Sequence, residues 1–119
     1  MSYPKKILII DDERDFCDLI VMMLQREPFH VDCAYSISEA SQFLKKDHPA
    51  IVLLDYNLPD GSGLDFFKHS KADFDDAKII LISADPSPDM KQRAQDAGIQ
   101  YLAKPFGLKK IRDMIHMVT

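Results

Sequence analysis

Short, nearly unbroken apolar runs alternate along the chain with longer stretches in which apolar residues recur at helical spacing. Five runs read as strands: KILII (6–10), FHVDCA (29–34), IVLL (51–54), KIILI (78–82) and QYLA (100–103). Those at 6–10, 51–54 and 78–82 are built mainly from β-branched residues and Leu, as expected of strands buried on both faces of a parallel sheet. Residues 29–34 alternate instead, with Phe29, Val31 and Cys33 on one side and His30, Asp32 and Ala34 on the other. That pattern predicts an edge strand; QYLA is the least patterned of the five.

The intervening stretches carry helix signals. Residues 13–27 place Phe16, Leu19, Ile20, Met23 and Leu24 at helix-face spacing, and Pro28 ends the segment. Ser36 to Glu39 reads as a capping box opening a helix through Phe43 and Leu44, stopped before Pro49. A third helix starts at Gly63 with Leu64 and Phe67 inward; a fourth has Ser87 as N-cap, Pro88 in its first turn and Gly98 at its end. Leu108, Ile111, Ile115 and Val118 form the face of the last. Strict alternation of strand and helix with short links predicts one parallel sheet, right-handed crossovers and helices on both faces. No internal domain boundary is needed. Sheets of this kind bind ligands outside the carboxyl ends of their strands.

Those carboxyl ends carry the chemistry. ILII runs into Asp11-Asp12, IVLL into Asp55, IILI into Ser83 and YLA into Lys104. Singly, each has an ordinary explanation as a turn former or helix cap. Four strand ends agreeing in chemistry are harder to explain that way. Two carboxylates about 4 Å apart repel by roughly 4 kcal/mol at an effective dielectric near 20. Three in one crevice have raised pKa values unless a cation sits among them. Hard oxygen ligands without His or Cys suit Mg2+ or Mn2+, and Mg2+ also accepts phosphate oxygens. Lys104 adds a positive charge and Ser83 a hydroxyl donor, each able to meet a phosphate oxygen. Phosphoryl transfer needs little more than an in-line nucleophile and positive charge around the equatorial oxygens, and a carboxylate can be that nucleophile.

Composition narrows the partners. A net charge of −4 argues against general nucleic-acid binding, which needs a basic footprint. Residues 1–85 carry 9 basic and 16 acidic side chains and residues 86–119 carry 6 and 3, so only the final helical region presents a basic surface, to solvent or to an acidic partner. Cys17 and Cys33 lack CxxC spacing and read as free thiols in a reducing cytosol. The scattered His30, His48, His69 and His116 offer no zinc spacing. The apolar run after Lys5-Lys6 is too short for a signal peptide or a membrane span, which predicts a cytoplasmic protein.

Asp11-Asp12, Asp55 with the Leu58-Pro59 turn and Gly63, Ser83-Ala84 and Lys104-Pro105-Phe106 occur in this order across essentially the whole chain. In this the chain resembles a response-regulator receiver domain of two-component signalling, of the chemotaxis-regulator-like kind. The resemblance implies a flavodoxin-like, doubly wound α/β fold: a five-stranded parallel sheet in order 2-1-3-4-5 with five helices. It implies that residues 1–119 form a receiver domain, with no output domain in this chain.

Residue by residue, the resemblance implies that Asp55 is the phosphoacceptor. Asp12 matches a direct Mg2+ ligand, Asp11 a residue that helps hold the metal, and Asn57 the position whose backbone carbonyl is a third ligand. Ser83 matches the hydroxyl that bonds the phosphoryl group, Lys104 the lysine that pairs with it, and Lys104-Pro105 a peptide bond that is usually cis. Tyr101 matches the aromatic that swings inward when Ser83 moves. Asn57 and Asp85 flank the phosphoryl position and are expected to orient an attacking water and shorten the phosphorylated state. The implied partners are a histidine kinase or phosphotransfer protein and a downstream protein or output domain. The latter is met by the fourth helix, fifth strand and fifth helix, near Lys91, Arg93, Lys109, Lys110 and Arg112. The domain would catalyse its own phosphorylation and dephosphorylation without being a conventional enzyme. Ile99-Gln100-Tyr101 stands where many DNA-binding members carry Ala-Asp-Asp, which argues against the dimer those acids tie together. Three other readings stand beside this one. A haloacid-dehalogenase-like hydrolase wants an acid where Asn57 stands, and an FMN binder wants a neutral loop where Asp11-Asp12-Glu13 stands. A receiver that binds partners without phosphorylation would not need the acids, Ser83 and Lys104.

Overall fold

The computed structural model describes residues 5–85 and 87–119. Its elements in chain order are β1 (Lys5–Ile10), α1 (Arg14–Met23), β2 (Phe29–Ala34), α2 (Ile37–Lys46), β3 (Ile51–Asp55), β4 (Asn57–Leu58) and β5 (Gly61–Ser62). Then come α3 (Gly63–His69), α4 (Lys71–Phe74), β6 (Lys78–Ser83), α5 (Pro88–Asp96), β7 (Gln100–Ala103) and α6 (Leu108–Val118). Five strands form one parallel sheet in the order β2-β1-β3-β6-β7. This is the flavodoxin-like order expected, with the hairpin strands β4 and β5 interposed in the numbering. The alternating strand at 29–34 does lie at the sheet's edge.

Successive residues of a strand point to opposite faces, so the continuous apolar runs feed two cores. Ile7, Ile9, Leu53, Ile80 and Ile82 pack with Cys17, Ile20 and Leu24 from the α1 region and Ile111 and Ile115 of α6. Leu8, Ile10, Val52, Leu54 and Leu81 pack on the other face with Ala40 and Leu44 of α2, Leu64 and Phe67 of α3, and Met90 and Ala94 of α5. Every apolar residue named in these two layers is buried.

Three local expectations are corrected. The first helix ends at Met23 rather than at residue 27, because Leu24 to Arg26 close it in a turn ahead of Pro28. Leu19 and Leu108 are 47% and 42% exposed, so neither belongs to the inward face. The inward line runs through Cys17 and Ile20 of α1 and Leu24 of its closing turn, and Leu19 lies well round the helix from Cys17. A sixth helix, α4, follows because Ser70 both closes α3 and opens α4. The break brings Phe74 back edge-on to Phe66 and Phe67, with ring centroids 5.3 Å apart in each pair.

Register does the rest. Ile10 lies opposite Leu54, Asp55 opposite Ile82, and Ser83 opposite Ala103. The carboxyl ends of four strands therefore fall in line, and the residues that follow them share one edge.

Candidate functional site

Backbone hydrogen bonds carry the sheet one step past its strands. The Asp11 amide donates to the Ala34 carbonyl at 3.0 Å, that of Tyr56 to Ile82 at 2.8 Å, and that of Lys104 to Ser83 at 2.7 Å. Asp11 and Asp55 are only 1% and 6% exposed, whereas Asp12 faces solvent. One carboxylate oxygen from each of Asp11, Asp12 and Asp55 lies within 4.8 Å of the others. The Lys104 ammonium reaches into this cluster, 3.3 Å from Asp11 Oδ2, 3.0 Å from Glu13 Oε1 and 3.8 Å from Asp55 Oδ2. The Lys104–Pro105 peptide bond is cis.

The two buried acids are also held by the backbone. The Glu13 amide donates to Asp11 Oδ1 at 2.9 Å, and the Asn57 amide to Asp55 Oδ1 at 3.4 Å. The turn after Asp55 closes through the β4–β5 hairpin, where the Gly63 amide donates to the Tyr56 carbonyl at 2.8 Å. A side chain at residue 63 is excluded: a Cβ there would stand 2.1 Å from the Asp55 carbonyl oxygen. Gly63 thus lets α3 begin against the backbone of Asp55.

Burial, then the charge of Asp11, pushes the Asp55 carboxyl up to about 7, against the pull of Lys104. Burial likewise raises the Asp11 carboxyl. Burial works against the Lys104 ammonium, but Glu13, Asp11 and Asp55 together raise its pKa. One cation shared among three acids leaves the cluster short of positive charge. An additional cation would relieve it, and the donor set, all hard carboxylate oxygens, suits a divalent ion of the Mg2+ or Ca2+ type.

The remaining expected residues sit around this centre. Ser83 is buried, and its hydroxyl accepts from the Asp85 amide at 3.0 Å. The Asp85 carboxylate accepts from the Ser87 amide at 2.8 Å, at the start of α5. Tyr101 is half-buried against the α5-side core, and its hydroxyl donates to the Asp85 carbonyl. The Asn57 side chain is exposed on the hairpin. The structure therefore gathers Asp11, Asp12, Asp55 and Lys104 directly, and joins Ser83, Asp85 and Tyr101 in a second chain of contacts beside them.

Other contacts escaped the sequence reading. Glu13 is the closest acid to Lys104; its position next to the Asp pair was the only signal. Arg93 of α5 donates to the Tyr56 hydroxyl at 3.1 Å and lies 5.4 Å from that ring's centre, joining the residue after Asp55 to α5. Asp60 accepts from the Ile37 and Ser38 amides at 2.8 and 3.0 Å, capping α2 from the hairpin. No spacing rule reveals either contact.

A five-stranded, doubly wound α/β domain with a carboxylate cluster and a lysine at its strand ends defines the class. The family model for the response regulator receiver domain matches residues 7–116, and the chain belongs to that family. It is a signalling domain of two-component response regulators, which sets aside the dehalogenase-like and flavin-binding readings. Among solved structures, the signal receiver domain of a putative LuxO repressor protein from Vibrio parahaemolyticus is 22% identical, with 98% of this chain and 90% of that one covered and a TM-score of 0.89. The chemotaxis response regulator CheY4 of Vibrio cholerae is 23% identical, with coverage of 99% and 100% and a TM-score of 0.87. Response regulator protein TrrA from Thermotoga maritima, in complex with Mg2+-BeF, is 28% identical, with coverage of 97% and 99% and a TM-score of 0.81.

Proposed function

We propose that Asp55 accepts a phosphoryl group from a phosphohistidine of a histidine kinase or phosphotransfer partner, in a Mg2+-dependent reaction in the cytoplasm. The observation that carries this reading is the buried Asp55 carboxylate sharing one crevice with the oxygens of Asp11 and Asp12 and with the Lys104 ammonium at 3.8 Å. An Asp55 oxygen attacks phosphorus, the P–O bond forms, the P–N bond breaks, and the leaving imidazole takes a proton. Asp11, Asp12, Asp55 and the Asn57 carbonyl would hold Mg2+, with Mn2+ as a substitute. When bound, that ion neutralises charge on the carboxylates and on the phosphoryl oxygens. Lys104 orients and neutralises another phosphoryl oxygen. It can do so by leaving Glu13, whose side chain is exposed and pairs with it weakly.

Ser83 is poised to supply a hydroxyl. Its oxygen accepts from the Asp85 amide, leaving its own proton free to meet a phosphoryl oxygen. Movement of Ser83 disturbs the Asp85 backbone, which holds the Tyr101 hydroxyl, so Tyr101 follows and the α5–β7–α6 surface changes shape. The phosphate acts through its different contacts in two pre-existing states, and a downstream protein or output domain reads the surface. Asn57 and Asp85 at the rim orient the water that ends the state. Replacing both by apolar residues should lengthen its half-life, and an unchanged half-life refutes that role.

Incubation with Mg2+ and acetyl phosphate tests the reaction. Intact mass should show one added phosphoryl group, absent in Asp55→Asn and suppressed by a chelator. A wild-type chain that never gains this mass would instead be a receiver that binds partners without phosphorylation.

A further inference from the structure

Helix α5 is joined to the site at two points along its length, and the chemistry above uses only the first. At its start the Ser83 hydroxyl accepts from the Asp85 amide at 3.0 Å, the Asp85 carboxylate from the Ser87 amide at 2.8 Å, and the Ser87 hydroxyl from the Met90 amide at 3.2 Å. Farther along, Arg93 Nη1 donates to the Tyr56 hydroxyl at 3.1 Å, and the guanidinium lies 5.4 Å from the centre of that ring. Arg93 and Tyr56 are both half-buried. The two ends of this second link are anchored differently. Tyr56 follows Asp55 directly; its amide donates to the Ile82 carbonyl and its carbonyl accepts from the Gly63 amide, each at 2.8 Å. It is thereby fixed to β6 and to the start of α3. Arg93 rides on α5, which Met90 and Ala94 seat on the core layer that Tyr56 and Tyr101 also pack against.

Movement passed from Ser83 through Asp85 shifts the start of α5 against a Tyr56 that stays with the sheet, so the Arg93 contact has to stretch or break. A bond made in one conformation and lost in the other biases the equilibrium between them. We propose that Arg93 and Tyr56 form a strap that holds α5 in its resting position and so sets how readily Asp55 is phosphorylated. This regulation rests on the phosphoacceptor role proposed for Asp55. Neither residue touches a reacting atom; both are positioning residues for the switch. An arginine only donates, so the phenol oxygen is the acceptor, and removing that oxygen cuts the bond while the ring stays in place. The coupling is reciprocal. Loss of the strap favours the switched state and with it phosphorylation, and phosphorylation in turn loosens the strap.

Tyr56→Phe, Arg93→Met and the double variant test the strap by two readouts. In the unphosphorylated chain, amide hydrogen exchange in α5 should quicken about two- to tenfold in each single variant, the range set by one net hydrogen bond, while β1 and β3 exchange as in wild type. With Mg2+ and acetyl phosphate, intact mass should show phosphorylation faster by a similar factor, about two- to tenfold. The double variant should match the singles in both readouts, because all three lack the same bond. Unchanged exchange in α5 overturns the strap. So do additive effects in the double variant, and so does faster exchange in every element, which assigns the pair to general stability. Faster α5 exchange with phosphorylation at the wild-type rate overturns the regulatory role. If wild type gains no phosphoryl mass, the reading of Asp55 fails instead, and α5 exchange alone decides whether the strap exists.

Discussion

Replacing Asp55 by Asn should make the metal-free domain more stable, at a cost to its function. The folded chain holds the Asp55 proton far more tightly than an unfolded one, with the pKa moved from 3.8 to about 7 by burial and by Asp11. Its contribution to stability is therefore intact below 3.8 and is lost as the pH rises toward and through about 7. Each tenfold change in proton affinity is worth about 1.4 kcal/mol, so above the folded pKa the ionised carboxylate costs the fold on the order of 4 kcal/mol. Asn keeps the shape and the acceptor for the Asn57 amide while removing the charge. Allowing for relaxation around Asn, the expected gain is about 2–4 kcal/mol near pH 8 and almost nothing near pH 4. Urea unfolding followed by far-ultraviolet circular dichroism, with chelator present, should show a midpoint raised by about 1 M or more at the higher pH. Added Mg2+ should close the gap by stabilising wild type more than the variant. No gain at the higher pH refutes the electrostatic reasoning. An equal gain at both values assigns the effect to packing instead.

Removing Lys104, as in Lys104→Met, withdraws the one ammonium that lowers the Asp55 carboxyl, so that pKa should climb above about 7 in an NMR titration; an unchanged value means the ammonium does not act on Asp55. Gly63→Ala drives a Cβ to 2.1 Å from the Asp55 carbonyl oxygen and should cost several kcal/mol, roughly 2–4, with the β4–β5 hairpin displaced. Wild-type stability in that variant contradicts the close approach. Asp60→Ala leaves the Ile37 and Ser38 amides uncapped and should lower the urea midpoint, with amide exchange faster at the start of α2; an unchanged midpoint and unchanged exchange refute the cap.

The fold was legible because burial on both faces leaves a plain mark. IVLL and KIILI have no polar alternation, and each lies deep in the sheet with residues feeding both cores. FHVDCA alternates and sits at the edge. Helix faces were less certain, since apolar residues outnumber inward positions: Leu19 fits the spacing yet faces water. The break between α3 and α4 was hidden because it depends on where Phe74 finds its aromatic neighbours. The position of the site was legible for a reason of register. The paired strands begin at different levels but end level, so Asp11, Asp55, Ser83 and Lys104 share an edge once the strands are placed. Partner choice was not legible. Lys104 lies closest to Glu13, and Asp85 turns its carboxylate to Ser87, through side-chain reach and loop geometry that strand order does not fix.

Asp55 is proposed as the target of the phosphoryl donor in this crevice. The most direct measurement is to phosphorylate the chain from a phosphohistidine protein in Mg2+, trap the acyl phosphate by borohydride reduction, and map the reduced residue by peptide mass. Homoserine should stand in place of Asp55 and nowhere else. Label at Asp11, Asp12 or Ser83, or stable phosphate that borohydride leaves untouched, would contradict it.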